Sequence, residues 1–289
     1  MDIQVVLERL GGVADRGSLL SVCSRSELDA ALADGCIVRL ARNRYAVPAV
    51  DEARAAAARL GGVVSHLSAA LAHGWKVKTA PERPSISVLR TRSRMDGSGV
   101  DLHWAMLSAS ERAACVTDPV RTVVDCARTL PFDEALSVAD SALRSGKVSK
   151  AALIAAAASA PRTGRAAALE VASAADPAAA NPFETVLRAI ALDVPGLRVV
   201  PQGAVGTIGH ADLVDPVLRV AIEAESFEFH ALPEAFRYDV RRYTAMTRLG
   251  WLVVRFVWED AMHRAAYVRE VLADVVALRT GCVPVTGAS

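Results

Sequence analysis

Acidic side chains recur at short intervals in the last third of the chain. Glu184 lies in the helix-opening sequence Asn-Pro-Phe-Glu, and Asp212 follows in an Ala-Asp step. Glu223 and Glu225 belong to the strand-like sequence Val-Ala-Ile-Glu-Ala-Glu. Unpaired carboxylates are strongly unfavourable inside a protein, so acids that flank an apolar strand need a cation among them. A divalent metal is the simplest such cation.

The elements that must position these acids are predicted in the order helix, three strands, helix, strand, helix, which is typical of an α/β sandwich with a mixed sheet. Glu223 and Glu225 lie two residues apart, so they leave the same face of their strand. If the neighbouring strand carries Asp212, then Asp212 and Glu223 converge on one Mg²⁺, or Mn²⁺, and Glu184 reaches it directly or through water. Such an ion would polarise a scissile phosphate. The predicted elements are 183–192, 199–205, 210–214, 218–225, 233–249, 251–257 and 261–278. Trp251, Phe256 and Trp258 are predicted to be core aromatics, and Arg255 is predicted to pair with one of the carboxylates.

The first fifty residues show a different pattern, with three short helices followed by a hairpin. Ser24-Arg-Ser-Glu27 is a capping box that begins the third helix, and residues 37–47 alternate as two strands around an Arg42-Asn43 turn. This arrangement predicts a winged helix-turn-helix that binds DNA. A charged hairpin that only keeps the surface soluble is the alternative. The predicted DNA contacts lie at the start of the third helix and on the wing: Ser24, Arg25, Ser26, Arg39, Arg42 and Arg44.

Between these regions the sequence predicts a connector with helices over 51–60 and 63–73, followed by a hairpin of the strands 85–89 and 100–104. The polar loop that joins the two strands is interpreted either as a second phosphate-contacting patch or as a solvated turn, and a further helix is predicted over 165–174. Arg121 and Asp125 are one helical turn apart and are predicted to form a structural ion pair. His66, His73 and His103 share no spacing that would join them into a site, so each is interpreted as a hydrogen-bonded group rather than a ligand. The predicted domains are 1–50, 51–165 and 178–280.

Composition narrows the possible partners. The 289 residues carry a net charge of +1, so nucleic-acid binding must depend on local patches rather than on a global basic field. The five cysteines include no C-x-x-C pair, which favours reduced, buried thiols. Without eighteen consecutive apolar residues or a secretory signal, the chain is expected to be cytoplasmic and to have no membrane partner.

Several segments of the first half resemble the N-terminal region of the AbiEi-type antitoxins of type IV toxin-antitoxin systems. The resemblance implies a winged helix that binds operator DNA and represses its own operon, with a toxin protein as a possible partner. It is carried by Gly11-Gly-Val-Ala-Asp-Arg16, by residues 28–35 and 37–48, by 61–71, and by Thr117-Asp-Pro-Val-Arg-Thr-Val-Val-Asp125.

The last third resembles the PD-(D/E)xK nuclease superfamily, and most closely the relatives of the very-short-patch repair endonucleases. The resemblance implies that Glu184, Asp212 and Glu223 hold the metal and that His230 acts near the attacking water. Asp239 and Arg241 or Arg242 would orient ligands or contact the phosphate. The motifs that carry it are Glu184, Gln202, Ala211-Asp212, residues 222–230, Asp239-Val-Arg-Arg-Tyr243, Gly250-Trp251 and residues 254–259.

One departure from this superfamily concerns its catalytic lysine. That position corresponds to Glu225 here, and no lysine follows Lys150, so His230 would have to supply the acid-base step. The leading hypothesis is a Mg²⁺-dependent DNA endonuclease, in repair or phage defence, targeted by the winged helix. The alternative is an antitoxin-like repressor with an inactive nuclease fold, and a third interpretation is a toxin-like effector restrained by the first half.

Overall fold

The computed structural model describes residues 3–92, 96–225 and 233–281 and contains both helices and small sheets. His230 and Cys282 lie outside these residues. The chain divides into two compact units. Unit 1 comprises Met1–Thr129 and Ala151–Ala168, and unit 2 comprises Leu130–Lys150 and Leu169–Ser289.

Unit 1 begins with three helices and a three-stranded antiparallel sheet, ordered β1-β3-β2. The predicted capping box is confirmed, because Ser24 accepts from Glu27 N while the Glu27 carboxylate accepts from Ser24 N. The predicted hairpin is also confirmed, with Asn43 at a φ of 61° in its turn. The strand β1 was not predicted. These elements are α1 (Ile3–Arg9), β1 (Val13–Asp15), α2 (Arg16–Leu20), α3 (Arg25–Ala33), β2 (Val38–Ala41) and β3 (Arg44–Ala46).

A second small sheet, ordered β4-β5-β6, follows in unit 1. Two predictions were wrong here. Val63 and Val64 form the strand β4 instead of starting a helix, because they pair with Ser87 and Ile86. The strands β5 and β6 pair in parallel rather than as a hairpin. The elements in this part of the chain are α4 (Glu52–Leu60), β4 (Val63–Val64), α5 (His66–Ala72), β5 (Ser85–Leu89), β6 (Asp101–Ala105), α6 (Ala109–Ala114), α7 (Pro119–Thr129), α8 (Phe132–Arg144), α9 (Lys150–Ser159) and α10 (Arg165–Ala174). Of these, α8 belongs to unit 2, and α10 extends from unit 1 into unit 2.

Unit 2 contains the helix α8 and a four-stranded mixed sheet of order β10-β9-β8-β7, in which only β10 and β9 are parallel. Helices cover both faces, as the sequence predicted. Val186, Leu187 and Leu272 belong to the core on one face, while Met246 packs with Ala221 on the other. The elements are α11 (Pro182–Leu192), β7 (Val200–Ala204), β8 (His210–Asp215), β9 (Val220–Glu225), α12 (Pro233–Arg248), β10 (Leu252–Val257), α13 (Trp258–His263) and α14 (Ala265–Thr280).

The end of unit 2 differs from the sequence prediction in two respects. The helix predicted over 261–278 is two helices, α13 and α14, because Arg264 leaves the helical region with φ −131° and ψ 40°. Trp258 was predicted as a core residue but is 44% exposed, whereas Phe256 is buried as expected.

Two further features concern the cysteines and the membrane. Cys23, Cys36, Cys115 and Cys126 are free thiols, and Cys36 is exposed rather than buried. Among the helices of the described ranges, none has the length and apolar character needed to cross a bilayer.

Candidate functional site

The first acid of the site, Glu184, is fixed by the start of α11. Asn181 is the N-cap of this helix, and its side chain accepts a hydrogen bond of 3.0 Å from Glu184 N. The Glu184 carboxylate in turn accepts from Ala180 N and Asn181 Nδ2, both at 2.8 Å. Pro182 occupies the first turn, where its missing N–H costs nothing. The capping sequence therefore determines where this buried carboxylate lies.

Gln202 links Glu184 to Asp212. Its Nε2 donates to Glu184 Oε2 at 3.1 Å and to Asp212 Oδ1 at 3.2 Å. The backbone of Gln202 has a φ of +50° in the middle of β7, a conformation that is rare for a residue with a side chain. Such outliers persist where the surroundings enforce them, often at functional sites. The sequence placed Gln202 in a strand and in a motif, but did not predict this bridge.

Asp212 and Glu223 lie on neighbouring antiparallel strands. The register pairs Leu213 with Ile222, and one further step places Asp212 opposite Glu223. Asp212 Oδ2 also accepts a hydrogen bond of 2.8 Å from Ala224 N. The two carboxylates that the sequence predicted to converge are therefore brought together.

Burial and repulsion by a neighbouring carboxylate act on all three acids. Burial, followed by the negative charge of Asp212, raises the pKa of Glu223 to about 7. Burial is also the main cause that raises the pKa values of Asp212 and Glu184, and Asp212 adds to the effect at Glu184. The cluster thus carries more negative charge than its protein partners neutralise.

The cationic partner of Glu223 is Arg242. Its NH2 lies 2.8 Å from Glu223 Oε1, and it also donates to the carbonyl of His210. Arg242 therefore lies at the site, as the sequence predicted. Arg241 is exposed on α12 and has no ion pair with any described residue. Asp239 is half-buried on the same helix.

Glu225 has partners of its own. Tyr243 donates its hydroxyl to Glu225, and Arg255 Nε lies 2.7 Å from Glu225 Oε1. The Arg255 guanidinium also lies over the Tyr243 ring, 4.5 Å from its centroid. The sequence predicted that Arg255 would pair with one of the carboxylates, and this is confirmed. Glu225 is thus part of an ion pair.

No known family model matches the chain. Two proteins of Mycobacterium tuberculosis are similar to it, "Uncharacterized protein MT2308" of strain CDC 1551 / Oshkosh and "Uncharacterized protein Rv2248" of strain ATCC 25618 / H37Rv. Each is 30% identical over 250 residues, which cover 82% of this chain and 91% of the relative. The chain belongs to the family of these two proteins.

The crystal structure of the RV2827C protein from Mycobacterium tuberculosis is also similar in part. The match has 16% identity and covers 64% of this chain and 78% of that one, with a TM-score of 0.32. A TM-score this low does not indicate a shared fold.

In this member of the family, the residues predicted to contact DNA differ in their exposure and in their contacts within the protein. Ser24 is occupied as the N-cap of α3, and its hydroxyl lies 3.0 Å from that of Ser26. Arg25 is exposed, as are the wing residues Arg39 and Arg42. A separate contact involves Arg44, which is half-buried with its NH1 3.8 Å from Cys115 Sγ.

The donor set of the acidic cluster favours a hard cation. Carboxylate oxygens are the ligands that Mg²⁺ and Mn²⁺ prefer. Within the described residues, however, no group of three or more His, Cys, Asp or Glu side chains is arranged as a metal site. Gln202 lies between Glu184 and Asp212, so the two acids with no side chain between them are Asp212 and Glu223.

Proposed function

We propose that this chain is a DNA endonuclease that hydrolyses phosphodiester bonds with Mg²⁺ or Mn²⁺ at Asp212 and Glu223. The observation that carries the proposal is the acidic pair itself. Two carboxylates occupy neighbouring strands, and burial raises both pKa values, with the charge of Asp212 adding to the effect at Glu223 and that of Glu225 at Asp212. A bound cation would remove this repulsion.

The two acids suit Mg²⁺, which keeps several waters and is commonly bound by one or two carboxylates plus substrate phosphates. Asp212 and Glu223 would hold the ion, and Glu184 would support it through Gln202. When bound, the ion would activate a water and stabilise the charge on the phosphate. The proposal therefore needs no third carboxylate in direct contact with the ion.

The surrounding residues would orient this pair and the phosphate. Gln202 fixes Asp212 through a 3.2 Å hydrogen bond, and Arg242 fixes Glu223. Arg242 would also direct a guanidinium N–H group toward a phosphate oxygen, a contact for which arginine is suited. The acid-base step is assigned to His230, which lies outside the described residues.

Delivery to DNA is assigned to the first three helices and the wing of unit 1, as a winged helix-turn-helix. The exposed guanidinium groups of Arg39 and Arg42 support phosphate contacts there. These contacts would supply affinity without sequence information.

Nicking of supercoiled plasmid by the purified full-length protein tests this function. We expect nicking with Mg²⁺ or Mn²⁺, its loss with EDTA, and its loss in Asp212→Asn and Glu223→Gln. Asp274→Asn, an exposed acid on α14, is the matched control and should cleave as the wild type does. Equal cleavage by Asp212→Asn and the wild type would refute the proposal.

A repressor with an inactive nuclease fold is the second candidate, and the Glu225–Arg255 pair favours it. A lysine at that position could assist proton transfer, whereas an acid bonded to both Arg255 and Tyr243 cannot replace it. A protein that binds DNA but does not nick it with either metal would support this candidate. A toxin partner would then be sought by co-purification with the full-length chain.

A further inference from the structure

Unit 1 contains a cavity that plays no part in the proposed cleavage. Its volume is about 870 Å³, and it lies among the strands β5 and β6 and the helices α7 and α9. Cavities of this size hold small organic ligands and cofactors. Its polar lining includes His66, Ser87, His103, Arg121, Asp125 and Arg128.

Two histidines that the sequence left as separate groups meet in this cavity. The rings of His66 and His103 stack with their centroids 3.7 Å apart. His66 begins α5 with a φ of +49°, which is a strained backbone conformation for a residue other than glycine. The prediction that His66 is hydrogen-bonded is confirmed by its contact with Ser65, but the sequence did not predict that the two rings meet. His66 follows β4 and His103 lies on β6, and the pairing of both strands with β5 brings these distant residues together.

The two rings offer hydrogen-bonding atoms to a ligand. His66 Nδ1 lies 3.0 Å from Ser65 Oγ, but neither His66 Nε2 nor the nitrogens of His103 have a hydrogen-bond partner in the described part of the chain. Burial lowers the pKa of both residues, and that of His66 falls to about 3, with the charges of His103, Arg121 and Arg128 acting in the same direction. Both rings are neutral near pH 7, so each presents one donor and one acceptor nitrogen.

Ser87 gives an independent indication of a ligand. This residue is 1% exposed, and its Oγ is buried without a hydrogen-bond partner in the described residues. The register places Ser87 beside His103 on the paired strands. Buried hydroxyls are almost always hydrogen-bonded, so an unpartnered one that lines a cavity calls for a bound group.

The charges of the lining favour an anion. Three arginines, Arg90, Arg121 and Arg128, face two carboxylates, Asp118 and Asp125. Arg121 pairs with Asp125 at 3.1 Å, and Arg128 lies 3.7 Å from the same carboxylate. Arg90 is exposed, and its guanidinium has no partner among the residues described. An anionic group of a ligand would therefore find an available cation in Arg90.

The remaining wall is apolar. Ala156 and Ala160 lie on or just after α9, Pro161 follows them, and Val124 faces the cavity from α7. Because these apolar side chains are small, a planar group can lie with its face against this wall. A planar ligand with polar edges and an anionic substituent matches the three parts of the lining.

We propose that this cavity binds a nucleoside monophosphate unit, whose base edge bonds to Ser87 and His103 and whose phosphate bonds to Arg90. The unit comes either from a free mononucleotide or from an unpaired nucleotide of a single strand. The two sources share the same chemistry and differ in whether a chain of nucleotides is needed for binding.

Isothermal titration calorimetry on the full-length protein tests this site. The probes are the four ribonucleoside 5′-monophosphates, adenosine, inorganic phosphate and a single-stranded pentanucleotide. We expect at least one monophosphate or the pentanucleotide to bind, and to bind more tightly than inorganic phosphate. A free monophosphate that binds as well as the pentanucleotide identifies the free nucleotide as the source, and the reverse identifies the single strand.

Three variants locate the binding. Ser87→Ala and Arg90→Ala should each weaken it about tenfold, since each removes one hydrogen-bonding or charged contact. Arg59→Ala, an exposed arginine of the same unit outside the cavity, should bind as the wild type does. Because Arg90 is exposed, its variant is expected to fold, and circular dichroism checks this for all three.

Two outcomes overturn the proposal. The first is no binding of any nucleotide probe to the wild type, and the second is binding that Ser87→Ala and Arg90→Ala leave unchanged. Asp212→Asn should bind the probes as the wild type does, so failure of the cleavage proposal leaves this one standing.

Discussion

At the scale of single residues, Gln202 determines how the acids of unit 2 are arranged. The sequence predicted the strands that carry Asp212 and Glu223, because apolar periodicity and turn residues are local signals, but it left the pairing of these strands as a condition. It did not predict that Gln202 would adopt a φ of +50° and bond two carboxylates. A backbone conformation of this kind depends on the surrounding tertiary contacts, which no local pattern encodes.

The repulsion within the acidic pair leads to a prediction for Asp212→Asn. Asparagine keeps an acceptor for Ala224 N and loses the one for Gln202 Nε2, which costs less than the buried negative charge next to Glu223 that it removes. We expect the metal-free protein to become more stable by roughly 1 kcal/mol at pH 8, as is common when a strained functional site is neutralised. Urea denaturation measures this, with Asp274→Asn as the control. A less stable Asp212→Asn protein would mean that the hydrogen bond from Gln202 outweighs the repulsion between the carboxylates.

Cation binding at the same pair should also be visible without turnover. Mg²⁺ or Mn²⁺ that binds only the folded state raises the melting temperature, and the rise grows with the logarithm of the metal concentration once this exceeds the Kd. We expect this rise in the wild type and in Asp274→Asn, and its loss in Asp212→Asn and Glu223→Gln. Differential scanning fluorimetry over a metal titration provides the measurement, and equal shifts in all four proteins would place the cation elsewhere.

His66 gives a prediction for the pH dependence of stability. Its pKa falls from an ordinary value of 6.5 to about 3 in the folded state, so the unfolded chain binds the extra proton first. The stability that the neutral ring provides is complete above pH 6.5 and is lost as the pH falls toward 3. At pH 5 the loss from this group is about 2 kcal/mol, at about 1.4 kcal/mol per pH unit.

The variant His66→Asn isolates this contribution, since asparagine tolerates a positive φ and does not titrate. Chemical denaturation at pH 5 and pH 7.5 should show a smaller stability difference for His66→Asn than for the wild type. His263→Asn, at an exposed position on α13, should keep the difference seen in the wild type. The groups around His66 remain in all three proteins: His103 on β6, and Arg121, Asp125 and Arg128 on α7.

At the scale of elements, the sequence predicted long helices with clear start signals well. It did not predict very short strands, the direction of a paired strand, or a break within a helix. The helix α11 was predicted because Asn181-Pro182 marks its start, and α10 because its composition favours a helix. The strands β1 and β4 have three and two residues, too few to show a period. The parallel direction of β6 depends on the path of the preceding loop, and no glycine or proline marks the break at Arg264.

The packing of α8 against α11 depends on a buried ion pair. Arg188 NH2 lies 2.7 Å from Asp140 Oδ2, and the two side chains are 4% and 0% exposed. Thr185 and Asp176 N also donate to the Asp140 carboxylate. Burial raises the pKa of Asp140 even with Arg188 beside it, so the carboxylate depends on these partners to remain charged.

Removal of the arginine should therefore be costly. We expect Arg188→Met to destabilise unit 2 by about 3–5 kcal/mol, because it leaves Asp140 buried without its countercharge. The matched control is Arg269→Met, which breaks an exposed pair with Asp193 and should cost less than about 1 kcal/mol. Guanidinium denaturation measures both. The double variant Asp140→Leu with Arg188→Met should recover part of the lost free energy of unfolding. A double variant that is no more stable than Arg188→Met alone would contradict the argument.

At the scale of the whole molecule, the proposals assign separate tasks to the two units. Unit 1 supplies exposed arginines on its wing and the nucleotide cavity, while unit 2 supplies the acidic pair. The net charge of +1 is too small to attract DNA by itself, so affinity must come from local patches. Binding and cleavage should therefore respond to different substitutions.

The salt dependence of DNA binding distinguishes these tasks. Each phosphate contact releases about one counterion, so the double variant Arg39→Ala and Arg42→Ala should reduce the slope of log K against log salt concentration by roughly 2. Asp212→Asn should keep the slope of the wild type while it loses nicking. Arg59→Ala, outside the wing, is the control for the loss of a positive charge in unit 1. Fluorescence anisotropy with a labelled duplex, measured from low to moderate salt, gives the slopes. If the double variant keeps the wild-type slope, DNA contacts another surface and the wing is only a solvated hairpin. A reduced slope in Asp212→Asn would mean that unit 2 itself contributes to DNA binding.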